Sequence, residues 1–241
     1  MEPESIARPA KIVIVDTDEF FCEAARRHFE GQDIDVVHGR LEDLPDVDCV
    51  VWPGNCQALP ASGLDAAMSR LLGSSVLARA QSRIRAEFGD EGCPLGTALL
   101  LEADDAGAPP ASAGDAAAPQ RPRCAVFVAV FPRSREGPRL AMAGALQAIA
   151  DHNARITAAA DAASGKKIAS ASAGECASVG FIERAACPGL GTFCGSPDVD
   201  DIAAMMAEAS ACFKTASGIR PGGVGASSSG PCSTAGGSAS K

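Results

Sequence analysis

Asn55 and Asp65 stand ten positions apart in VVWPGNCQALPASGLDAAM (50–68), the segment of the 241-residue chain richest in usable chemistry. An apolar run ending at Trp52 gives way to the turn Pro53-Gly54, the lone polar Asn55, and then Ser62-Gly63-Leu64 with Asp65 where helical periodicity begins. A carboxamide at a strand end offers a hydroxyl-bearing ligand both a donor and an acceptor. The amides of Ser62, Gly63 and Leu64 would lie at the positive end of a helix, where a phosphate is favoured. Each residue also has a plainer reading: Asn55 as a turn residue holding its own loop, Asp65 as a first-turn acid matched to the helix dipole.

A second loop, CPGLGTFCGSP (187–197), places Gly189, Gly191 and Gly195 between a strand pattern and a helix pattern. Without Cβ atoms, such a turn lets backbone amides converge on an anion. It is not G-x-G-x-x-G, no acid follows at dinucleotide-fingerprint distance, and no G-K-[ST] occurs in the chain. Cys56 and Cys194 flank these loops, yet no His or Lys adjoins them to generate a thiolate. None of the ten cysteines has C-x-x-C spacing and none clusters with the three histidines, so neither a zinc site nor a cofactor is expected.

These loops need a scaffold, and the apolar pattern describes one. Short β-branched runs at 11–15, 34–37, 49–52, 97–101, 124–131 and about 179–187 alternate with helical periodicity at 18–30, 63–88, 139–153 and 198–213. Runs apolar on both faces and separated by helices imply a largely parallel sheet of about six strands, covered on both sides in an α/β fold. Ligands of such sheets bind beyond the carboxyl ends of the strands.

Alanine supplies 48 residues, and much of it falls in segments too poor in large apolar groups to order themselves. Residues 104–122 hold 14 Ala, Gly, Pro or Ser in 19 positions, and the tail 217–241 is similar. With a weaker region at about 158–178 and a flexible 1–9, they leave one domain, 10–216, carrying insertions. A net charge of −9 argues against a broad nucleic-acid surface. No run approaches the ~20 apolar residues of a membrane span. The N-terminus has no leader pattern, so a cytoplasmic or nuclear monomer is expected.

Four ordered segments, VDCVVWPGN (47–55), SGLDAAMSRLLG (62–73), GCPLGTALLL (92–101) and PGLGTFCGSP (188–197), together resemble the macrodomain family. The family counterparts are a V-N-A-A-N strand end, a glycine-rich loop ending in V-D-G, G-C-P-x-G-x-A, and an S-T-G-I-F-G-x-P loop. The likeness is closest to a branch with P-A-N and P-G-L-G-T motifs. It implies a three-layer α/β/α fold with a mixed sheet, and a site for ADP-ribose or an ADP-ribosylated protein.

By that resemblance, Gly54 and Asn55 would meet the distal ribose, and Ser62, Gly63 and Leu64 the ribose and its phosphate. Gly189, Leu190, Gly191, Thr192 and Gly195 would wrap the diphosphate, and Phe193 would cover the distal ribose. Asp65, with Asn55, would be catalytic in a hydrolase acting on an ADP-ribosyl ester or on ADP-ribose-1″-phosphate. The alternatives are a non-catalytic reader and a degenerate relative that binds another phosphorylated metabolite. Trp52 stands where the family has the first Asn, Ala61-Ser62-Gly63 replaces three glycines, and Arg40 follows Gly39 where the family has its adenine-binding acid.

Overall fold

The computed structural model describes residues 10–60, 63–104, 121–131, 134–163, 179–192 and 198–216. The N-terminal segment 1–9, most of the Ala-rich stretch at 104–122, residues 164–178 and the tail lie outside the described residues.

Among the described residues, six strands, β1 (Lys11–Asp16), β2 (Asp35–His38), β3 (Cys49–Asn55), β4 (Ala98–Glu102), β5 (Cys124–Phe131) and β6 (Arg184–Cys187), form one sheet in the order β2-β1-β6-β3-β5-β4. All neighbours run parallel except β4, which is antiparallel to β5. The helices are α1 (Glu19–His28), α2 (Gly63–Leu72), α3 (Val76–Phe88), α4 (Gly137–Ala163) and α5 (Val199–Ala216).

Strand alternation divides the core in two. Ile12, Ile14, Cys49, Val51, Val126 and Cys187 pack with α1, α4 and α5. Val13, Val15, Val50, Trp52, Phe127 and Ala186 pack with α2 and α3 on the other face. The result is the three-layer α/β/α architecture, and the near-continuous apolar runs follow from strands buried on both faces.

Helix ends follow local chemistry. Asp18 caps α1 by accepting from the amides of Phe20 and Phe21 at 2.9 and 3.2 Å. Pro138 stands in the first turn of α4, where a missing N–H costs nothing. The helix expected over 63–88 is instead two, broken at Gly73, whose φ is +104°. A Cβ there would strike the Asp104 side chain, which accepts from Ser75 N–H at 2.9 Å and pairs with Arg79 at 2.7 Å.

The strand expected over 179–187 is shorter, because Asn153 of α4 takes its place at Ile182. Its carboxamide donates to the Ile182 carbonyl and accepts from the Ile182 amide, both at 2.8 Å. The helix expected at 139–153 also runs on to Ala163, taking in the first residues of the weak region. At the outer strand β4, Arg83 donates to the Leu100 carbonyl at 2.8 Å and Arg79 to that of Glu102.

The 92–97 segment enters β4 beside the first loop. A Cβ on Gly144 of α4 would lie 2.2 Å from the Gly96 carbonyl oxygen, a backbone atom that cannot step aside. Gly144→Ala should therefore lower stability by about 1–3 kcal/mol in urea unfolding. Gly63→Ala, whose added Cβ meets nothing within 4 Å, should change it by less than about 0.5 kcal/mol.

Candidate functional site

Strands β1, β6 and β3 lie side by side and point the same way, so Asp16, Cys187 and Asn55 end at one edge of the sheet. From β1 the chain turns outward to β2, whereas from β3 it turns the other way, toward β5 and β4. That divergence is a topological switch point, with β6 between its arms. The helix after β1 packs on one face and the helix after β3 on the other. The starts of both helices therefore lie at this edge of the sheet, one on each face.

The first loop is anchored from several sides. Asn55 folds its side chain back: its Oδ1 accepts from the amides of Gln57 (3.1 Å) and Leu59 (3.0 Å), and its Nδ2 donates to the Leu59 carbonyl (2.8 Å). Both acceptor lone pairs are thus occupied within 55–59, and the carboxamide can meet a ligand only through its second N–H. Cys56 N–H donates to the Phe131 carbonyl, and the Cys56 carbonyl accepts from Cys93 N–H at 2.8 Å. The G-C-P-L-G segment is consequently a buttress for this loop. Gly92, at φ +87°, has no room for a Cβ, which would lie 2.6 Å from the Cys56 oxygen.

Gly54 has a packing reason to be glycine. A Cβ there would sit 2.3 Å from the Phe127 ring of β5. That ring meets Trp52 edge-on at 6.4 Å between centroids, in the buried layer beneath the loop.

Trp52, fully buried, donates from its indole N–H to Asp65 Oδ1 at 2.9 Å, and Asp65 is itself buried. Trp52 therefore grips the acid in the first turn of α2. Gly63 is exposed at the start of α2 and Leu64 is half-buried. Ser62 lies outside the described residues.

The second loop spends its first donors inward. Pro188 has no N–H; Gly189 N–H goes to Asp16 Oδ2 at 3.0 Å; Leu190 N–H points at the Met206 sulfur at 3.4 Å, and its side chain is core. A Cβ on Gly189 would collide with Thr192, Asp16 and Phe21, at 2.5, 2.8 and 3.1 Å. Gly191 has φ +108°, and Thr192 Oγ1 donates to the Gly189 carbonyl. Phe193 and Gly195, with Cys194, lie outside the described residues.

Three acids stand at this edge. Asp16 and Asp65 are buried acids, and Asp18 sits at the start of α1. Burial pushes the Asp16 carboxyl above its usual range, and the amides bonded to it pull back only in part. Arg40, the residue after Gly39, is exposed and pairs with Glu42 at 3.0 Å; that pairing holds the Glu42 carboxyl below its usual range. The Cys56 thiol is pushed up by burial, so the thiolate a nucleophile needs is disfavoured. Among the described residues no group of three or more His, Cys, Asp or Glu could hold a metal ion. No helix among them is long and apolar enough to cross a membrane.

No protein-family model and no curated protein matches the chain. Among solved structures it is similar to the macrodomain of Mycobacterium tuberculosis DarG, at 13% identity and a TM-score of 0.46, over 73% of this chain and 88% of that one.

Proposed function

We propose that the crevice at the carboxyl ends of β6 and β3 binds ADP-ribose or an ADP-ribose derivative. The observation that supports this reading is the adjacency of β3 and β6 at the switch point, which brings the P-G-N turn and the P-G-L-G-T turn to neighbouring strand ends. The ligand's diphosphate would rest on backbone N–H groups and on the positive end of α2. Because Gly189 and Leu190 commit their donors inward, that cradle would begin at Gly191 and Thr192. The distal ribose would meet Asn55 through its remaining N–H, and Gly63 and Leu64 next to Asp65. Isothermal titration with ADP-ribose tests the reading, which fails if millimolar ligand gives neither heat nor a thermal shift.

One observation favours a reader over an eraser of ADP-ribosylation. Asp65 already gives one carboxylate oxygen to Trp52. A general base is worth about 10²–10⁴-fold. If the site is hydrolytic, Asp65→Ala should cost that factor in release of ADP-ribose from O-acetyl-ADP-ribose. In a reader, the intact protein releases none, and an ADP-ribosylated peptide survives bound.

The Trp52 contact has its own expected signature. Trp52→Phe removes the indole donor from a buried carboxylate and shrinks a packed ring, and should lower stability by about 2–4 kcal/mol in chemical unfolding. A loss below about 1 kcal/mol would show that the contact does not hold Asp65.

A further inference from the structure

Asp16 closes β1 with its side chain buried, and four donors converge on it. Its Oδ1 accepts from Asp18 N–H and its Oδ2 from Gly189 N–H, each at 3.0 Å. Its carbonyl accepts from Gly39 N–H at 2.9 Å and from the Cys22 thiol at 3.4 Å. One residue thereby joins the end of β1, the start of α1, the exit of β2 and the turn after β6. The Gly189 contact depends on shape as well as charge, since a Cβ on that glycine would sit 2.8 Å from Asp16 Oδ2.

Only a carboxylate suits this position. Two N–H groups approach two separate oxygens, whereas an asparagine would present one oxygen and one NH₂, turning a donor against a donor. The surroundings do little else for the charge. Burial disfavours it, Asp18 adds a like charge, and the Cys22 and Cys187 thiols nearby are raised by their own burial and by the Asp16 carboxylate. Asp16 is an awkward group for the fold to bury, and among the described residues its side chain's long-range hydrogen bond runs to the glycine that opens the P-G-L-G-T turn.

We infer that Asp16 is a positioning residue for the ligand cradle: by holding Gly189 N–H it fixes the 188–192 turn, so that the amides of Gly191 and Thr192 face the crevice. The ligand half of this inference rests on the ADP-ribose reading; the clamp itself does not. The chain also supplies a matched control. At the opposite end of β6, Asp48 Oδ2 accepts from the amides of Glu183 and Arg184, both at 3.0 Å, while its Oδ1 pairs with Arg123 at 2.8 Å. Asp48 holds the start of the strand as Asp16 holds its exit, but far from the cleft.

The test is made on the full chain as wild type, Asp16→Asn and Asp48→Asn. Amide hydrogen exchange at Gly189 is read by NMR and ADP-ribose affinity by calorimetry. In folded Asp16→Asn, Gly189 exchange should rise at least about tenfold and the ADP-ribose Kd should rise by about tenfold or more. Asp48→Asn should lower the melting temperature while its Kd stays within about twofold of wild type. Unchanged Gly189 exchange in Asp16→Asn overturns the clamp. Faster exchange with an unchanged Kd overturns its role in the cradle, as does an equal Kd rise in Asp48→Asn. If wild type binds no ADP-ribose, the ligand reading falls, and Gly189 exchange still decides the clamp. Should Asp16→Asn not fold, Asp16→Ser, which removes the second acceptor, takes its place with the same expected outcomes.

Discussion

A four-residue strand of mostly small side chains occupies the middle of this sheet, and it cannot hold its place by its own hydrophobic surface. Strand β6 reads Arg-Ala-Ala-Cys, so its position depends on backbone pairing to β1 and β3 and on polar groups at either end. Asp48 receives its first amides, Asn153 aligns the approach at Ile182, and Asp16 takes the amide just beyond its exit. Small side chains let helix layers close in from both faces, and the carboxylates supply the registration that bulky side chains would otherwise give. The candidate cleft opens at the exit of that strand, so its geometry depends on the contact that Asp16 makes there.

Much of the fold was legible because strands buried on both faces leave a strong apolar signature. The runs KIVIV, CVVW and CAVFVAVF became β1, β3 and β5, and the antiparallel β4 was recognisable as a strand though not in its direction. The errors arose where a tertiary contact outweighed a local pattern. Helical periodicity runs through 63–88, but Gly73 takes a left-handed conformation against Asp104 and splits the helix. The apolar stretch from 179 looks extended, yet a side chain of α4 replaces the neighbouring strand at Ile182.

The site was legible in its loops and opaque in its wiring. Adjacency of the turns after β3 and β6 follows from the parallel sheet and from where ligands of such sheets bind. That Trp52 would donate to Asp65 could not be read from spacing, because thirteen residues separate them and the contact needs α2 to fold back over β3. Strand alternation offered a partial signal: it puts Trp52 on the same face as Val50, the face that α2 covers. Asp16 gave a fainter one, a polar residue ending an apolar strand. The glycines carried mixed messages, since Gly54 and Gly92 make room for Phe127 and the Cys56 carbonyl rather than for a ligand.

The arginines over β4 bear on how this protein behaves among its own copies. A sheet's outer strand normally leaves a row of unpaired carbonyls and amides, a template on which another chain can add a strand. Here Arg83 and Arg79 fill the carbonyls of Leu100 and Glu102, and they bring two positive charges to the rim of an acidic molecule. At the opposite rim β2 is only four residues long, with Asp35 at its start engaged by Lys11. Strand-by-strand growth of the sheet is therefore hindered at both margins. That matters for a chain whose interior strands are as apolar as CAVFVAVF and would aggregate readily if a margin lay open.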